Sequence, residues 1–213
     1  MTLRRLPVYL LLDTSGSMRG EPIESINVGL RAMLATLRQN PYALESVFLC
    51  ILTFDSVITE VLPLTALDTV VMPEIVCPPS GATFLGEGLR TVCDQVDRDV
   101  RKSTVEQKGD WRPLLFVMTD GKPSDTLAYS EIISRVKASN FAAIIACAAG
   151  PKSVPDQLKQ LTDNVVSLDT MDSNAFSSFF QWVSATVTSG SASMGANATM
   201  ELPPPPPEVQ VVI

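Results

Sequence analysis

Five oxygen-bearing side chains fall where apolar runs stop or where a helical stretch is about to begin. Asp13, Ser15 and Ser17 alternate through "DTSGS" directly after "LPVYLLL"; Asp120 lies in "TDG" after "PLLFVM"; Thr83 closes "SGAT" ahead of a helical pattern. Hydroxyls and carboxylates without nitrogen or sulfur select a hard divalent cation, Mg2+ first, with Mn2+ or Ca2+ as alternatives. Ser15 and Ser17 stand two apart, so both can face one ion while Gly16 lets the backbone turn. Two carboxylates balance such an ion without filling its shell, which leaves room for water or an incoming oxygen ligand. Alone, Asp13 would read as a turn or cap residue. The three corners together read as a metal site.

Composition narrows the alternatives. The 213 residues contain no histidine, which excludes Ser-His-Asp and Cys-His catalysis and every imidazole metal site. The four cysteines, Cys50, Cys77, Cys93 and Cys147, have no C-x-x-C spacing. Cys50 and Cys147 lie in strand-like apolar runs and read as small core residues, so a reduced, cytoplasmic chain is expected rather than a disulfide scaffold. Cys77, beside Pro78 and Pro79, reads as an ordinary loop cysteine, although a thiolate there would be a natural nucleophile toward a tellurium oxyanion. A net charge of −7 argues against nucleic acid as a partner. With 46% hydrophobic and 18% charged residues, the chain has ample material for a core. The run after Arg4 and Arg5 is too short for a signal peptide and ends at Asp13, so it reads as a first buried strand, and no stretch reaches the length of a membrane span.

The elements that would position these residues follow from periodicity. Continuous apolar runs at 6–13, 47–54, 113–121 and 141–150 are strands covered on both faces. "VITEVLPL" (57–64) alternates and contains Pro63, the pattern of an edge strand hairpinned through Asp55 and Ser56. Apolar spacings of three and four predict helices from Glu21 to Arg38, from Leu85 to Lys102, within "LAYSEIISRVKAS" and within "NAFSSFFQWVSATV", with "NVVSLDT" a last strand. Alternating strands and helices give an α/β fold, a Rossmann-like doubly wound, mainly parallel sheet with helices on both faces. Ligand sites in such sheets lie beyond the carboxyl ends of the strands, where "DTSGS" and "TDG" both fall. Residues 1–190 read as one domain. Residues 191–213, with five consecutive prolines at 203–207, read as a flexible Gly/Ser/Ala linker and a solvated proline-rich tail, the alternatives being a docking motif or packing of "VQVVI" onto the domain as an added edge strand. Met18 is either an apolar rim beside the site or a plug beneath its loop.

D-x-S-x-S at 13–17, the threonine of "GAT" at 83 and "TDG" at 119–121 resemble the metal-ion-dependent adhesion site (MIDAS) of von Willebrand factor A domains. The likeness in element order covers about residues 6–190. It implies a six-stranded sheet with one antiparallel edge. It also implies metal ligation by Ser15 and Ser17, by Thr83 directly or through water, and by Asp13 and Asp120 largely through water. The family's open metal position accepts an acidic group from a protein partner. The size and the proline-rich end resemble the bacterial tellurite-resistance members, which are associated with a protein kinase and a PP2C-type phosphatase in a stress response. The expected function is therefore a non-enzymatic, metal-dependent protein-binding module for an acidic or phosphorylated group. A phosphotransferase using Asp13 as nucleophile is the alternative, against which stand Ser15, where such enzymes carry a second Asp, and the lack of their later lysine. A third reading is a metal-free scaffold that binds through its tail.

Overall fold

The computed structural model describes residues 4–79, 81–151, 153–192 and 202–212. Strand β1 (Leu6–Asp13) is buried along its whole length and sends alternate side chains to opposite faces. Leu6, Val8, Leu10 and Leu12 enter one core layer, while Tyr9 and Leu11 enter the other. The same alternation runs through β4 (Leu114–Thr119), where Leu114, Phe116 and Met118 face the first layer and Leu115 and Val117 the second. A strand with two buried faces must be apolar throughout, which is why both runs read so clearly.

Helices α1 (Glu21–Arg38) and α6 (Ser173–Ala192) cover the first face. Gly29 of α1 lies so close to Phe180 of α6 that a side chain there would overlap the ring. Helices α3 (Leu85–Asp99) and α4 (Thr126–Ala138) cover the second face. Two short helices, α2 (Pro41–Ser46) and α5 (Pro155–Leu158), fill connections that the periodicity did not mark. Helix α3 stops at Asp99, short of the expected Lys102, and Val100 is already extended.

The remaining strands are β2 (Val47–Phe54), β3 (Ile58–Ala66), β5 (Ala143–Ala149), β6 (Val165–Leu168) and β7 (Gln210–Val211). The sheet order is β3-β2-β1-β4-β5-β6-β7. All pairs are parallel except β2–β3 and β6–β7, so both edges are antiparallel. The order reverses between β1 and β4, which opens a crevice above their carboxyl ends.

Two expectations are corrected here. The sheet has seven strands, not six with one antiparallel edge, because the chain returns to pair Gln210 and Val211 with β6. The described part of the proline-rich tail is docked rather than solvated. Trp182 Nε1 donates to the Pro203 carbonyl at 2.8 Å, Val209 is buried, and Leu202 packs on the core. Helix α6 also runs two residues past the expected domain end at 190. The rest of the expected linker, 193–201, lies outside the described residues.

Candidate metal centre

Asp13 ends β1 fully buried at the crevice. One carboxylate oxygen accepts the Ser15 N–H at 2.8 Å, and the other accepts the Thr119 hydroxyl at 2.6 Å. These bonds fix the carboxylate and tighten the turn that follows. Ser15 opens a 3-10 turn, Gly16–Met18, closed by the Met18 N–H on the Ser15 carbonyl at 3.0 Å. Met18 is fully buried, so it plugs the space beneath the loop and forms no rim.

The turn brings Ser15 Oγ to 3.3 Å from Ser17 Oγ. Ser17, exposed at the mouth, donates to Asp120 Oδ1 at 2.9 Å and so joins the β1 loop to the β4 loop. Thr83 arrives from a third direction, and its Oγ1 lies 3.6 Å from where a Cβ would stand at Gly121. All five residues singled out in the sequence therefore border one crevice.

A second layer holds Thr83 in place. Its N–H donates to Ser124 Oγ at 3.0 Å and its carbonyl accepts the Ser124 N–H at 2.8 Å. The Phe84 N–H donates to the Asp55 carbonyl at 2.9 Å. Asp125 stands at the start of α4 but caps α3 instead, accepting the N–H groups of Gly86 (3.2 Å) and Glu87 (2.9 Å). These are first-turn donors that α3 itself leaves unpaired. Sequence reasoning missed Thr119, Ser124 and Asp125. "PSDT" signals a helix cap, but nothing local says that the capped helix is a different one. Asp55 is the expected hairpin residue: its Oδ1 accepts from the Val57 N–H at 3.0 Å, and Thr14 Oγ1 donates to its Oδ2 at 3.3 Å.

The electrostatics show what the crevice lacks. Burial pushes the Asp13 carboxyl up from 3.8 to about 6; the Thr119 and Ser15 hydrogen bonds oppose this, and the charge of Asp120 adds to it. Among the described residues no Lys or Arg is ion-paired to Asp13 or Asp120, although both are buried. Two buried carboxylates beside three hydroxyls, with no ion-paired cationic side chain among the described residues, form a donor set suited to a hard divalent ion. Among the described residues no group of three or more His, Cys, Asp or Glu side chains could hold a metal, so hydroxyl oxygens must complete any site.

Cys77 lies half-buried near the crevice, where Arg19 donates to the Pro78 carbonyl at 2.8 Å. Burial raises its thiol to about 11, with Asp13 adding to the shift and Arg19 opposing it. That is the reverse of an activated thiolate. Iodoacetamide at pH 7.5 is expected to label Cys77 at least about tenfold more slowly than an unperturbed thiol of pKa near 8.5. Labelling as fast as free cysteine, followed by intact mass, would refute this. Cys50, Cys93 and Cys147 are buried and all four cysteines are free.

Comparison with known proteins agrees with this architecture. The family model of the von Willebrand factor type A domain matches residues 8–181. Among curated proteins no sequence matches. Similar solved structures include proximal thread matrix protein 1 from the mussel byssus with a zinc-occupied MIDAS motif, at 17% identity and a TM-score of 0.61, covering 87% of this chain and 48% of that one. The pilus adhesin SpaC from Lactobacillus rhamnosus GG aligns at 12% identity and a TM-score of 0.67 in its open conformation, over 89% of this chain and 31% of that one. A von Willebrand factor type A protein from Catenulispora acidiphila aligns at 15% and 0.64, over 87% and 43%. The chain thus spans less than half the length of each of these structures. No helix among the described residues is long and apolar enough to cross a membrane.

Proposed function

This chain belongs to the von Willebrand factor type A domain family, and from that premise we propose that it is a non-enzymatic, metal-dependent protein-binding module. The observation that carries the reading is the pair of buried carboxylates, Asp13 and Asp120, set among Ser15, Ser17 and Thr83 with no ion-paired cation among the described residues. Ser15, Ser17 and Thr83 would hold the ion, with Asp13 and Asp120 supplying charge around it. Mg2+ is the proposed ion, with Mn2+ or Ca2+ as alternatives, and it would offer a Lewis-acidic position to an external oxygen. Ser17 and the crevice mouth are exposed, so a partner's carboxylate or phosphoryl group can reach that position.

The same reading places the chain in the cytoplasm, in a bacterial tellurite-resistance or chemical-stress system whose kinase and PP2C-type phosphatase are the proposed partners. Its support is the resemblance of the sequence. Against the phosphotransferase alternative stands the burial of Asp13, both of whose oxygens already accept hydrogen bonds.

Ligand and metal that share a coordination shell must strengthen each other by linkage. Capture of the partner kinase or phosphatase is therefore expected to fail in EDTA and to return with Mg2+. Asp120→Ala should weaken Mg2+ binding at least about tenfold in calorimetry, with an unchanged circular dichroism spectrum. Equal capture in chelator, by a surface mapped away from residues 13–17 and 83, would overturn the reading.

A further inference from the structure

At the opposite end of the sheet, below the amino ends of β1 and β4, the carboxyl ends of α3 and α4 border an open cavity of about 400 Å3. Its apolar surface includes Val96, Val100 and Pro113, and its charged surface includes Arg101, Lys102 and Arg112. Two carboxylates also line it, and each is already ion-paired to an arginine, Asp97 sharing its arginine with Asp94. Asp110 is held by Arg5 through bonds of 2.9 and 2.5 Å and also accepts the Arg101 backbone N–H, while Asp97 accepts from Arg135 at 2.9 Å.

The cations are not. Among the described residues, Arg101 and Lys102 make no side-chain hydrogen bond or ion pair. Arg112 donates to the carbonyls of Asn140 and Phe141, which fix its guanidinium without cancelling its charge. Cations at helix carboxyl ends ordinarily serve the macrodipole. Here Arg5 already donates to the terminal Asp99 carbonyl of α3 at 2.7 Å, and Arg135 lies in the last turn of α4. Arg101 and Lys102 are thus left over for something else, in a chain whose net charge is −7.

Trp111 gives the cavity a spectroscopic reporter. It lines the cavity, the Arg4 guanidinium stacks 3.5 Å from its ring centroid, and its buried indole N–H has no acceptor among the described residues. Cavities of this size that combine apolar walls with a few convergent polar groups are the usual form of small-molecule sites.

We propose that this cavity binds a phosphorylated small molecule of nucleotide size, with its phosphates on Arg101, Lys102 and Arg112 and its apolar part against Val96, Val100 and Pro113. The site is separate from the metal crevice, so the test runs in EDTA, where failure of one proposal leaves the other standing. ADP, pyrophosphate and adenosine are titrated into the full chain, followed by calorimetry and by the indole N–H resonances of Trp111 and Trp182, assigned with Trp111→Phe. ADP is expected to bind and to move the Trp111 resonance while leaving that of Trp182, which is bonded to Pro203, in place. Arg101→Gln with Lys102→Gln should weaken ADP at least tenfold without changing the melting midpoint, because both side chains are exposed. Pyrophosphate should bind more weakly than ADP, and adenosine weakest of all. No ADP binding at millimolar concentration, or binding unchanged in the double variant, would overturn the site. Pyrophosphate binding as tightly as ADP would overturn the nucleotide assignment.

Discussion

Removing residues 202–213 is expected to lower the melting midpoint by roughly 4–8 °C, the equivalent of about 2 kcal/mol for a domain of this length. The tail carries Val209, which is 2% exposed, and half-buried Leu202, both packed on the core layer that contains α6. Burying one such side chain stabilises by about 1.5–3 kcal/mol. The backbone adds pairing of Gln210 and Val211 with β6 and a 2.9 Å bond from the Val212 N–H to the Val165 carbonyl. The proline run reduces the opposing entropy, because prolines have little conformational freedom to lose on docking. Truncation would also uncover Trp182, which is 5% exposed beneath the tail, and leave its indole without the Pro203 carbonyl. A thermal scan of the truncated chain beside the full chain measures the effect. An unchanged midpoint would mean that the tail rests on the domain without stabilising it.

This tail also shows where local sequence patterns stop carrying information. Strands buried on both faces announce themselves by unbroken apolar runs, so β1 and β2 are legible to the residue and β4 and β5 to within two residues at each end. Helix α1 was legible from its spacing alone. The tail's docking depends on two side chains and a short pairing with a strand about 40 residues earlier, set in a proline-rich stretch that resembles a solvated one. No period exists there to detect. Helix α2 did carry a signal, since Asn40 caps it by accepting the Ala43 N–H and Pro41 occupies its first turn, but six residues are too few to show periodicity. The end of α3 is hidden in the sequence because Arg101 and Lys102 continue a helix-compatible composition beyond the point where Asp110 captures the Arg101 N–H.

The candidate site divides in the same way. Asp13, Ser15, Ser17 and Asp120 stand out as candidates because strand ends in a doubly wound sheet converge on one crevice, and Thr83 because its loop leads into a helix. The residues that set their positions do not. Thr119 is an inconspicuous strand residue until its hydroxyl is seen on Asp13, and Asp125 reads as a cap for α4 until it is seen on α3. Positioning contacts of this kind join segments distant in sequence, and one chain without its folded form does not reveal the partners.

Those contacts lead to the second large effect. In EDTA at pH 7.5, Asp13→Asn is expected to melt roughly 5–10 °C above the unaltered chain, while losing Mg2+ binding. The fold raises this carboxyl from 3.8 to about 6, so the folded state holds the proton more tightly than the unfolded state does. Its contribution to stability is complete below about pH 4 and is lost as pH rises through about 6. Above that range the metal-free fold must keep a desolvated carboxylate ionised beside Asp120, at a cost on the order of 2–3 kcal/mol. Asparagine fits the same bonds without the charge. Its oxygen accepts the Ser15 N–H, and its amide donates to Thr119, whose hydroxyl turns to the Gly121 carbonyl 3.4 Å away. The advantage should therefore shrink toward zero near pH 4, where both side chains are neutral. Saturating Mg2+ should close it from the other direction by stabilising only the unaltered chain. Melting curves at pH 4, 6 and 7.5, with and without the ion, test both limbs. If the asparagine variant melts below the unaltered chain in EDTA at pH 7.5, the charge at Asp13 serves the fold itself and is not a cost carried for an ion.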